Sequence, residues 1–224
     1  MDAKKRICQA SVETSIMKGC FFLEKMAPNS TFSGSDHISP PPICISGDTS
    51  RFLYTFRNDP WSNIHVARLV SEIVAFNYTN VRWFVFGDDH TVFFPENLVK
   101  TLSKYDDSLW YYIGTNSENF QQNKEFSFDM AFGGAGFAIS YPLANVLAKH
   151  LDSCLGRYPN LYGSDGRIHA CLAELGVTLT HESSFPQLLA PRRQCCDVLP
   201  SSADKVMKIG IRECGADELI YMHP

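Results

Sequence analysis

The 224-residue sequence predicts an α/β domain, in which strands and helices alternate around a sheet and ligands bind at the carboxyl ends of the strands. Three observations predict it. Short β-branched and aromatic runs alternate with stretches of helical periodicity. A strand at 81–86 runs straight into the acidic turn Gly87-Asp88-Asp89-His90. A glycine-rich turn, Gly133-Gly134-Ala135-Gly136, leads into a further apolar strand.

The elements follow in chain order. Residues 1–37 have no sustained periodicity and read as a poorly ordered leader with at most one short helix, closed by Pro40-Pro41-Pro42. Ile43-Cys44-Ile45-Ser46 has strand character and Gly47 to Ser50 is a turn. From Ser62 to Phe76 the residues Ile64, Ala67, Leu69, Val70, Ile73, Val74 and Phe76 recur at helical spacing, with Ser62 or Asn63 as N-cap. The strand Val81 to Phe86 is apolar on both faces, as a central strand of a covered sheet is. Pro95 opens a helix running to about Tyr105, and a strand follows at Leu109 to Gly114. After the glycine turn comes the strand Phe137-Ala138-Ile139, then a helix capped by Ser140 with Leu143, Val146, Leu147 and Leu151 on one face. A last helix runs from Asp165 to about Leu175, Gly176 stops it, and the strand Val177 to Thr180 follows. The pattern decays beyond Pro191, so residues 38–190 form the domain and residues 191–224 a peripheral tail.

Composition narrows the function. Hydrophobic residues make up 45% of the chain, enough for a sizeable core. With 24 acidic against 20 basic residues and no basic cluster of useful size, a nucleic-acid backbone is excluded as partner. Lys4-Lys5-Arg6 precedes a stretch too polar for a signal peptide, and no run approaches the roughly 20 apolar residues that span a bilayer. As written, the chain is expected to carry neither export signal nor anchor, which by itself would leave it cytoplasmic. The eight cysteines form no CxxC pair. Adjacent cysteines rarely chelate one ion, which argues against zinc on Cys195, Cys196 and His181. Cys44 and Cys171 read as small core residues, although an oxidising compartment would leave disulfides open.

Asp88 and Asp89 end a strand, so the fold holds two carboxylates at the sheet rim with little freedom. Fixed carboxylates bind a hard cation, and His90 is placed to be a third ligand. Such an ion could bridge the diphosphate of a nucleotide sugar; the competing reading is ordinary turn chemistry. The turn of Gly133, Gly134, Ala135 and Gly136 either admits a ligand close to the main chain or is a simple connection. Asp165, just inside a helix, is a cap, a dipole-stabilised carboxylate or a general base. His181, after a strand, is a ligand or a structural residue. A metal phosphoesterase is disfavoured, since no second His and Asp cluster follows.

Together these segments resemble the plant Fringe-like β-glycosyltransferases, related to Fringe and to the β1,3-galactosyltransferases. The resemblance runs from Ser39 to about Ala190. It rests on Asp48-Thr49-Ser50-Arg51-Phe52, Arg82 to Asp89, Thr91 to Leu98, Tyr111-Tyr112-Ile113-Gly114, Gly133 to Ala144, and Tyr162-Gly163-Ser164-Asp165. It implies a partial Rossmann-like fold of the GT-A type, a UDP-sugar donor, Mn as cofactor, transfer with inversion to an acceptor hydroxyl, and residence in the Golgi behind an anchor. By the same resemblance Asp88, Asp89 and His90 hold the metal. Gly133, Gly134, Ala135 and Gly136 flank the donor, and Asp165 serves as base.

Three positions depart from the family pattern. His90 replaces the third of three aspartates, Gly166 the second Asp of Gly-Ser-Asp-Asp, and Pro186 a metal-binding His. The family's domain also extends further on both sides of the matched stretch. The alternative expectation is therefore a truncated or catalytically impaired relative that binds or regulates, with a homologous protein as partner.

Overall fold

A computed structural model describes residues 18–24, 42–56, 62–88, 91 and 93–185. The expected tail at 191–224 lies outside them. The chain divides into two compact units, with the boundary between Ser46 and Gly47.

In the first unit, β1 (Phe21–Leu23) and β2 (Ile43–Ile45) pair in parallel, with Phe21 opposite Ile43 and Leu23 opposite Ile45. The leader thus contributes a strand where the sequence suggested at most a short helix. Three-residue strands bury little, and a disulfide between Cys20 and Cys44 staples the pair. Cys44 is accordingly not a free core thiol.

The second unit is a mixed α/β assembly. In order come α1 (Ser62–Ala75), β3 (Trp83–Phe86), α2 (Pro95–Leu102), β4 (Tyr112–Gly114), α3 (Phe120–Glu125), β5 (Phe137–Ser140), α4 (Tyr141–Arg157), α5 (Ser164–Glu174) and β6 (Leu179–His181). The sheet order is β3-β5-β4-β6. β5 runs antiparallel to both of its neighbours, while β4 and β6 are parallel. Alternation of strands and helices predicts an α/β sheet, and the sheet is one with mixed strand directions. The reason lies between β4 and β5, where the short helix α3, unseen in the sequence, and a turn return the chain into β5 from the opposite direction.

That reversal matters for function. The register sets Phe86 and Gly114 on either side of Phe137, and Gly114 opposite His181. The carboxyl ends of β3, β4 and β6 therefore share one edge with the start of β5.

The core explains why these segments are helices. Leu143, Leu147 and Leu151 of α4, four residues apart on one apolar stripe, and Leu172 of α5 have no exposed surface. Each such leucine contributes on the order of 1.5–3 kcal/mol. Helices α1, α4 and α5 pack on one another, and α4 also meets β3 and β5. Cys154 of α4 and Cys171 of α5, both buried, form a disulfide with Cα atoms 5.8 Å apart. Cys171 is thus a core residue as expected, but as half of a cross-link. Ser140 precedes α4 without capping it, because its hydroxyl accepts the Tyr111 N–H at 3.0 Å instead. Gly176 adopts φ +74° beyond α5, a left-handed stop that glycine permits.

Candidate functional site

Asp88 follows β3 at the shared edge and is half-buried. Its backbone N–H donates to Thr91 Oγ1 at 2.9 Å, and the Thr91 hydroxyl lies 3.1 Å from Asp88 Oδ1. The same hydroxyl lies 3.4 Å from the Gly133 carbonyl oxygen and 3.2 Å from that of Gly134. The acidic turn and the glycine turn are thereby joined through one threonine.

The glycine turn is a single 3-10 turn over Gly133–Ala135, and all of it is buried. Its glycines are needed for space. A Cβ on Gly134 would stand 2.7 Å from the Phe132 ring and 3.6 Å from Asp88 Oδ2. Gly136 has φ +77°, and a Cβ there would meet the Phe93 ring at 2.6 Å and the Phe86 carbonyl oxygen at 3.0 Å. Close approach to the main chain was expected; at these two positions aromatic side chains make it.

Asp165 completes the group. It sits in the first turn of α5, is 2% exposed, and accepts the Gly133 N–H on Oδ2 at 2.9 Å. Its Oδ1 faces the Ser164 hydroxyl at 3.2 Å. The side chain therefore does not cap its own helix, whose N-cap is Gly163 with no side-chain bond. Nor does the helix terminus leave a comfortable anion: burial pushes the carboxyl up to about 7 against the Gly133 bond, and the charge of Asp88 adds to the rise.

Asp88, Gly133, Gly134, Ala135, Gly136 and Asp165 are thus brought together. Asp89 and His90 lie outside the described residues, as does Pro186. Among the described residues no group of three or more His, Cys, Asp or Glu could hold a metal ion. They supply one of the three expected ligands, Asp88. Gly166 is half-buried, and a Cβ on it would meet nothing within 4 Å.

His181 ends β6 about half exposed, and its Nε2 is 3.9 Å from Asp129 Oδ1. One turn along α5 from Asp165, His169 is held below its ordinary pKa by burial, which outweighs the attraction of Asp129. Thr91 entered the sequence reading only within the stretch that carries the resemblance, and neither Thr91 nor His169 was given a role there. The local signal for Thr91 was a hydroxyl three residues beyond an aspartate that follows a strand.

Residues 122–196, about a third of the chain, match the model of a family described as a protein of unknown function, DUF604. The matched stretch contains the glycine turn, β5, α4, α5 and β6, and so includes Asp165 but not Asp88. No curated protein matches the chain. No helix among the described residues is long and apolar enough to cross a membrane.

Proposed function

We propose that this chain is a Fringe-like glycosyltransferase domain, of the partial Rossmann-like GT-A type, that binds a UDP-sugar at the sheet edge carrying Asp88 and the glycine turn. The observation that carries the reading is the convergence of Asp88, Gly133 to Gly136 and Asp165 at that edge, although they are far apart in sequence. In this reading Asp88, Asp89 and His90 hold Mn, which when bound would neutralise charge on the departing diphosphate. The glycine turn flanks the donor sugar. Asp165, with its carboxyl near 7, takes the proton of an acceptor hydroxyl attacking in line with inversion. Two disulfides among the described residues support residence in an oxidising lumen such as the Golgi.

A specific observation favours a second reading, a domain that binds donor or a homologous protein partner without transferring sugar. Asp165 is 2% exposed and already engaged with Gly133, and the next position is Gly166. Two measurements decide. Calorimetric titration of the whole chain with UDP is expected to show Mn-dependent binding that weakens at least tenfold in Asp88→Ala. Folded protein that binds no nucleotide across a panel of UDP-sugars would sink both donor-binding readings. Mn-dependent UDP-sugar hydrolysis then separates enzyme from binder: its presence supports the first, and binding without hydrolysis supports the second.

A further inference from the structure

Thr91 occupies a position that no role in the proposed site assigns. Its Oγ1 accepts the Asp88 N–H at 2.9 Å, while its own N–H donates to the Asp88 carbonyl at 3.1 Å. A hydroxyl carries one proton, so of the three acceptors around it only one is served at a time. Asp88 Oδ1 at 3.1 Å is both the nearest and the charged one, and a charge-assisted bond outweighs a neutral one. The carbonyls of Gly133 and Gly134 stand just beyond it, at 3.4 and 3.2 Å. On the other side the side chain fills the space a Cβ on Gly87 would need, with Thr91 atoms 2.7–2.8 Å from that point.

From this geometry we infer that Thr91 is the positioning residue of the site: it sets the rotamer of Asp88 and holds that carboxylate against the glycine turn. The inference deepens the proposed donor-binding reading and rests on it for its ligand, but the positioning of Asp88 can be tested without any ligand. The physical argument is one of freedom. A carboxylate at the end of a strand has rotamers that turn it away from the edge, and a ligand that needs it must first order it. Accepting the backbone N–H while donating to the carboxylate of the same residue fixes the main chain and the carboxylate of Asp88 relative to each other.

Two substitutions separate the hydroxyl from the shape. Thr91→Val keeps the volume and removes the hydroxyl; Thr91→Ser keeps the hydroxyl and removes the methyl. Amide hydrogen exchange resolved at Asp88, on the full chain without ligand, is the first readout. We expect Asp88 exchange to speed up at least tenfold in Thr91→Val and to stay within about threefold of the parent in Thr91→Ser, with the amides of β4 unchanged in both. The second readout is calorimetric affinity for Mn with UDP, expected to fall at least tenfold in Thr91→Val and to be rescued in Thr91→Ser. Unchanged Asp88 protection in Thr91→Val overturns the inference. So does a Thr91→Val protein that binds as the parent does, or an equal loss in both variants. If the parent itself binds neither Mn nor UDP, the donor-binding reading fails, and the χ1 couplings of Asp88, expected to show one rotamer in the parent and averaging in Thr91→Val, decide whether Thr91 positions Asp88; averaging in the parent overturns the inference.

Discussion

Asp165 Oδ2 accepts the backbone N–H of Gly133 at 2.9 Å, joining the first turn of α5 to the turn that enters β5. Both groups are buried, so neither can turn to water if the other is removed. Leaving the Gly133 N–H without an acceptor would cost on the order of 1–3 kcal/mol. The same burial makes ionising Asp165 costly, and this gives the fold a pH-dependent contribution from that residue.

The carboxyl of Asp165 rises from an ordinary 3.8 to about 7 on folding, through burial first and the nearby Asp88 second. Between those values the native state binds a proton that the unfolded chain has lost. The stabilisation is therefore complete below about pH 4 and is lost as pH rises through about 7. Asp165→Asn keeps an acceptor for Gly133 and removes the titration. Thermal unfolding at intervals from pH 5 to 8 should show the Tm of the parent falling relative to that of the variant. Parallel curves would mean that Asp165 does not carry this linkage.

Gly136 combines φ +77° with a ring 2.6 Å from the place of a Cβ. Strain and overpacking add, so Gly136→Ala is expected to lose about 2–4 kcal/mol in urea unfolding. Gly156→Ala is the control. It lies in α4 with open space around it and should gain about 0.5–1 kcal/mol, because alanine is the better helix former. Equal effects at the two sites would show that the glycine turn is not crowded as described.

Gly166 stands in the first turn of α5 with nothing within 4 Å of a Cβ. An acidic residue suits that end of a helix, so Gly166→Asp should fold with a Tm equal to or above that of the parent. If the proposed function holds, the added carboxylate should raise Mn-dependent UDP-sugar hydrolysis at least tenfold. A stable variant that binds donor and gains no hydrolysis would count against the site as a transferase centre.

The cross-link between Cys154 and Cys171 closes α4 onto α5, the helix that carries Asp165. Replacing both cysteines with alanine should cost about 2–4 kcal/mol in equilibrium unfolding. A peptide map without reduction should recover the two as one linked pair. Recovery of both as alkylated free thiols from unreduced protein would contradict the pairing.

Much of the local structure was legible. Helical spacing located α1 almost to the residue and placed the start of α4, and Pro95 marked the first turn of α2. Those signals are written within a few turns of chain. α3 was missed because six polar and aromatic residues carry too short a period. β1 was missed because each of its residues pairs with one 22 positions further on, across a proline-rich stretch. In the site, Asp88 and the glycine turn announced themselves by residue type next to strands, whereas Thr91 looked like any threonine in a turn.

Apart from α3 and β1, residue order alone determined which segments are helix or strand, and which of them lead into carboxylates or glycines, because both properties depend on near neighbours. Only the tertiary structure decided that β5 runs against β3 and β4, that Cys154 meets Cys171, and that the Asp165 carboxyl is buried against Gly133 beside Asp88. The physical reason is that strand direction, cross-links and the cost of burying a charge depend on groups far apart in the chain, which meet only in the fold.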